Sequence, residues 1–163
     1  MTGVQTCALP IFIAEIQWSG VRPGFDFPYW CLWTNTGTVA AENCTLKVLL
    51  PEQMEFIDIT YYVDNSNGGT GTYGDYSWLE DTLVVPLGTI DPSGYYGGYV
   101  YIWGNCPEWV QIGDSLFCES WLSTTTPEEN LVNNDAELRD DTYGSLDPND
   151  KSATPGGDRK SVV

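Results

Sequence analysis

The feature that most constrains this chain is a recurring alternation of apolar and polar residues over short runs, with turn-forming residues between them. Alternation at a period of two sends successive side chains to opposite faces of an extended strand, and no stretch sustains the 3.6-residue period of an amphipathic helix. The pattern predicts seven strands: Ile13–Trp18, Phe27–Thr34, Asn43–Leu50, Phe56–Val63, Thr82–Ile90, Tyr95–Trp103 and Ser115–Ser123. The run from Asp64 to Tyr76 (DNSNGGTGTYGDY) is a polar loop, and the segment after Thr124 reads as a loop with a last edge strand. Seven short strands at this spacing predict an all-β sandwich of two antiparallel sheets.

Parity sets the faces. On the second strand Tyr29, Cys31 and Trp33 share one side and Trp30 and Leu32 the other. On the third, Cys44, Leu46, Val48 and Leu50 oppose Thr45 and Lys47, so the Lys-free side is assigned inward. Pro51 stops the third strand, because proline has no N–H to give a ladder.

Composition narrows the function. The chain has 163 residues, 6 Lys and Arg, 23 Asp and Glu, and no His, for a formal charge of −17. That length suits one domain. Such acidity repels phosphate-rich partners, so nucleic acid and anionic membrane surfaces are excluded as partners. Without histidine there is no imidazole base, no triad and no His metal ligand. No apolar run of about 18 residues is present to insert into a bilayer. The expectation is a non-enzymatic extracellular module.

Both ends of the sequence are expected to be foreign to the domain. MTGVQTCALPI, residues 1–11, resembles the translation of a short-read sequencing adapter, and DRKSVV resembles that of the opposite adapter, within residues 157–163. Residues 12–146 are then the domain, and 147–156 a linker to a further domain, rich in Pro, Asp and Gly. A signal peptide is not observable in such a fragment.

Setting Cys7 aside leaves Cys31, Cys44, Cys106 and Cys118. An even count in an acidic, loop-rich chain fits an oxidising compartment, and four cysteines allow three pairings. Cys31 and Cys44 are equidistant from a turn near Gly37, and Cys106 and Cys118 from one at Ile112. If each turn closes a hairpin, the local bridges Cys31–Cys44 and Cys106–Cys118 follow. The alternatives are a cross-sheet Cys31–Cys118 bridge, of the kind found in antibody domains, and four buried free thiols.

Several motifs occur together and in order: Pro23–Gly24, Asn35–Thr38, Leu50–Pro51, Leu87–Gly94 and Asn133–Asn134. Over Phe12–Pro155 the chain resembles a bacterial surface repeat built from Ig-like domains and related to the cell-adhesion-related domain of bacteria. The closing LDPNDKSATP is similar to linkers between such repeats in secreted proteins of Bacteroidetes-like bacteria. The four cysteines and the seven Trp depart from that pattern. The resemblance implies an Ig-like sandwich acting as a spacer or adhesion repeat in a large secreted or cell-surface protein. Its partners would be neighbouring repeats of the same chain and a surface glycan or protein ligand.

Three sets of residues are candidate sites. Asp147, Asn149 and Asp150, with Asp140 and Asp141, offer the oxygen ligands a hard cation such as calcium takes; the same residue types are ordinary in solvated turns. No other cofactor is expected. Trp30, Tyr99, Tyr101 and Trp103 are the sugar-stacking candidates. If Val100 and Ile102 face the core, Tyr99, Tyr101 and Trp103 form an exposed stripe for a carbohydrate or equally for a protein partner; in the opposite register they are core. Glu80–Asp81 and Glu128–Glu129 have the residue types of a glycosidase carboxylate pair but read as solvated surface acids, so no catalytic residue is expected.

Overall fold

The computed structural model describes residues 12–18, 20–63, 75–92, 97–128 and 131–144, with 12–18 and 61–63 described by backbone alone. The alternating runs form strands β1 (Phe12–Trp18), β2 (Phe25–Asn35), β3 (Ala41–Leu49), β4 (Glu55–Val63), β5 (Ser77–Leu79), β6 (Thr82–Ile90), β7 (Gly98–Cys106), β8 (Ser115–Ser123) and β9 (Asp135–Asp141). A four-stranded sheet has the order β1-β2-β7-β4, and a five-stranded sheet the order β5-β6-β3-β8-β9. Every pairing among them is antiparallel.

The predicted faces are the observed ones. Tyr29, Cys31 and Trp33 on β2 meet Cys44, Leu46 and Val48 on β3 inside the sandwich, all nearly inaccessible to solvent. Ile59, Leu83, Val85, Val100, Ile102, Leu116 and Cys118 complete the interior. At one side the gap between the sheets is closed by edge strands β4 and β5, where Phe56 meets Trp78 edge-on at a centroid distance of 5.2 Å.

Differences from the expected strands have local causes. β7 runs three residues beyond Trp103, because Gly104 pairs with both Phe27 and Phe56, and packs under Met54 with no room for a Cβ. β5 has three residues, too few for a period to show. It pairs with Thr82–Val84 only, so among the described residues Pro86 has no ladder partner on that side of β6 and its missing N–H costs no bond there. A bulge on β3 around Asn43 (φ 52°) and Cys44, opposite Gly88 (φ 72°), returns Ala41 and Ile90 to the core.

Neither turn between cysteines closes a hairpin. β2 and β3 belong to different sheets, as do β7 and β8, so each connection crosses the sandwich. Across the crossing after β2, Asn35 is fully buried and acts as a bracket. Its Nδ2 donates to Val39 O at 2.9 Å and Ile90 O at 3.1 Å, and its Oδ1 accepts Gly37 N–H at 3.0 Å. The Asn-Thr-Gly-Thr segment thus works through its Asn side chain, not through a left-handed turn: neither Asn35 nor Gly37 has positive φ.

The registers also fix the polarity of the module. Phe12 opens β1 opposite Asn35, whereas β9 ends with Asp141 opposite Ser115, at the end of the sandwich where β3 finishes at Leu49 and β6 starts at Thr82. There the chain is sealed by Thr142 N–H to Asp114 O and Tyr143 N–H to Val21 O. The first strand therefore enters at the Asn35 end and the last leaves at the Leu49 end.

Candidate functional site

The outer face of the four-stranded sheet carries the aromatic stripe. Val100 and Ile102 are fully buried, which sends Tyr99, Tyr101 and Trp103 outward along β7, the central neighbour of β2 and β4. Trp30 on β2 stands opposite Tyr101 and meets it edge-on at 5.7 Å, and Tyr99 meets Tyr101 in the same manner at 5.0 Å. Tyr99, Tyr101 and Trp103 line up along β7, with Trp30 beside Tyr101 on β2. Mutual packing leaves Trp30, Tyr99 and Tyr101 half-buried, while Trp103 keeps 41% of its surface exposed.

Polar groups gather at the Trp103 end. Asp58 on β4 is its cross-strand neighbour on one side and Pro28 on the other. Asn105, two residues along the same face, donates from Nδ2 to Asp26 Oδ1 at 2.7 Å. A flat exposed indole beside carboxylate and amide oxygens can stack on a sugar ring and hydrogen-bond its hydroxyls. Spacing alone pointed to the aromatic residues; Asp58, Asn105 and Asp26 were missed, because strands distant in sequence bring them together.

The cysteines correct the expected pairing. Cys31, Cys44, Cys106 and Cys118 are all buried free thiols, and the Cys31–Cys44 and Cys106–Cys118 bridges are absent. Their equal spacing about a turn carries no information once the connection crosses between sheets: Cys31 lies opposite Ile16 and Val100, and Cys118 opposite Leu138. Burial pushes the Cys31 thiol up to about 12, against a weaker lowering by the Ser120 hydroxyl. Burial also raises Cys118 well above the ordinary thiol range, with Cys31 across the core adding to the shift. Such thiols stay protonated and unreactive.

The cation ligands do not assemble within the described part. Asp147, Asn149 and Asp150 lie outside the described residues, as do the segments 1–11 and 147–163. Asp141 accepts the Ser115 hydroxyl, and the Asp140 carboxylate accepts the Asp141 N–H at 2.8 Å. Among the described residues no three His, Cys, Asp or Glu side chains are grouped to hold a metal.

Of the four acids weighed for hydrolysis, Glu128 departs from the solvated reading. Burial raises its pKa, partly offset by the hydrogen bond it accepts from Asn134 Nδ2 at 2.7 Å. Glu129 lies outside the described residues. Glu80 and Asp81 form the exposed two-residue turn between β5 and β6.

The architecture is an Ig-like two-sheet sandwich. The CARDB domain of a Pyrococcus furiosus protein, solved in complex with di-metal ions, has the same fold at 17% identity, with 86% of this chain and 95% of that one covered and a TM-score of 0.51. The collagen-binding domain of the Erysipelothrix rhusiopathiae surface protein RspB is similar at 10% identity over 80% of this chain and 48% of that one (TM-score 0.52). A cohesin from scaffoldin B of Acetivibrio cellulolyticus, solved with a dockerin, is similar at 14% identity over 82% and 99% (TM-score 0.50). No family model matches the chain. No curated protein matches it either. Among the described residues no helix is long and apolar enough to cross a membrane.

Proposed function

We propose that this domain is a non-catalytic spacer and adhesion module of a large secreted or cell-surface bacterial protein. The observation that carries the reading is the polarity of the fold: the first strand enters at the Asn35 end and the last leaves at the Leu49 end. Modules with entry and exit at opposite ends string out in a line. Strands of nine residues span about 30 Å, so each copy adds roughly that length. The fold shared with the collagen-binding domain of a bacterial surface protein supports the same reading. The test is small-angle scattering on two copies joined through Leu146–Pro155. The maximum dimension should grow by about 30–40 Å over one copy; a side-by-side pair with little growth refutes the spacer role.

A second reading, carbohydrate binding, is favoured by the Trp103 end of the aromatic row, where the indole, Asp58 and Asn105 share one exposed face. A glycan array separates the two. A signal lost in both Trp103→Ala and Trp30→Ala supports sugar binding, whereas an unresponsive array leaves the spacer role alone.

A further inference from the structure

At the Leu49 end the connection from β3 to β4 and the β5–β6 turn enclose a groove of about 640 Å³. Its lining combines two chemistries. Met54, Phe56, Trp78 and Phe117 supply an apolar and aromatic wall, while Glu52, Glu80 and Asp81 supply exposed carboxylates at the rim. No Lys or Arg is among the described residues that line it. Trp78 keeps 45% of its surface exposed, although it packs edge-on against Phe56. The volume lies within the range of sites that hold small ligands or a few peptide side chains.

We propose that this groove docks a basic polypeptide segment by receiving its Lys or Arg side chains. A long basic side chain is apolar along its stem and cationic at its tip, which matches a wall of Met54, Phe56 and Trp78 beneath a rim of carboxylates. The Trp78 face adds cation–π attraction. Phe117 already shows the chemistry within the chain: the Arg139 guanidinium sits over its ring at 5.5 Å. Charge decides the occupant. A net charge of −17 attracts basic segments from a distance and repels a second copy of this chain. This inference is independent of the spacer reading, since it concerns what the end of one module binds.

The test is an amide- and indole-resolved NMR titration of the whole chain with an octapeptide alternating Lys and Gly, using the Glu–Gly octapeptide as control. The expected result is movement of the Trp78 indole and the Glu80 and Asp81 amides with the Lys peptide only. The double variant Glu80→Gln/Asp81→Asn should weaken binding about tenfold or more, since two charge-assisted contacts are lost. The double variant Asp135→Asn/Glu137→Gln on β9 removes the same net charge elsewhere and should change affinity less than about twofold. Equal weakening by both double variants would mean general attraction to an acidic protein and overturns the proposal. So does movement confined to other surfaces, a stronger response to the Glu peptide, or no response to either.

Discussion

Asn35 offers the most direct test of how this sandwich holds together. Its side chain is fully buried at the crossing from the four-stranded to the five-stranded sheet, donates to Val39 O and Ile90 O, and accepts from Gly37 N–H. Replacing Asn35 by Ala removes these bonds and leaves two carbonyls and one N–H short of a partner. At about 1 kcal/mol per bond, the loss is about 3 kcal/mol, rising if the stranded groups stay dry. For a domain of this size each kcal/mol moves the melting temperature by about 3 °C, so the expected drop is about 10 °C. Calorimetry and urea unfolding, with an unchanged m-value, are the measurements. Asn35→Asp sharpens the test. It keeps the acceptor for Gly37 but buries a carboxyl that loses both donated bonds, so its pKa is expected to rise in the folded state. That variant should recover stability as pH falls towards 4 and lose it as pH rises, the opposite of an ordinary surface Asp. A drop below about 3 °C for Asn35→Ala, or no pH dependence for Asn35→Asp, would refute the bracket.

Three further outcomes follow from the packing. Glu80 adopts φ 55° at a two-residue turn, a conformation Asn tolerates better, so Glu80→Asn should raise stability by about 0.5–1 kcal/mol, read as the urea midpoint. A Cβ at Gly104 would overlap Met54, so Gly104→Ala should cost about 1–3 kcal/mol by thermal melting, and Met54→Ala in the same chain should recover part of it. Ionisation of the unfolded thiols begins near 9, while burial holds folded Cys31 at about 12. Stability should therefore fall between about pH 9 and 12, by about 1.4 kcal/mol per pH unit from Cys31 alone, and a Cys31→Ser chain should show a shallower fall. In the native state at pH 8, Ellman's reagent should leave Cys31, Cys44, Cys106 and Cys118 unmodified.

How much of this was legible in the sequence depended on whether a property is local. Strand positions and faces were legible, because alternation along β2, β3 and β8 reports which side of each strand meets the core. The outward stripe of Tyr99, Tyr101 and Trp103 followed from the same parity once Val100 and Ile102 were known to be inside. Neighbour identity was not legible. Alternation does not say whether β3 pairs with β2 or with β6 and β8, and assuming a hairpin placed Cys31 beside Cys44 when they lie in different sheets. The same limit hid Asp58 and Asn105 beside Trp103, and the groove, whose lining comes from β3, β4, β5, β8 and two connections. The role of Asn35 was not legible for the same reason, since its side-chain amide bonds to Ile90 O, 55 residues away in sequence.

The opposed positions of the first and last strands also decide how the domain answers tension. A pull between Phe12 and Asp141 draws β1 lengthwise along β2, whose seven residue pairs lie side by side from Phe12–Asn35 to Trp18–Tyr29. Ladder bonds run across the strands, so such a load shears them together instead of unzipping them one after another. A tether built from this domain would yield late and abruptly under stretch.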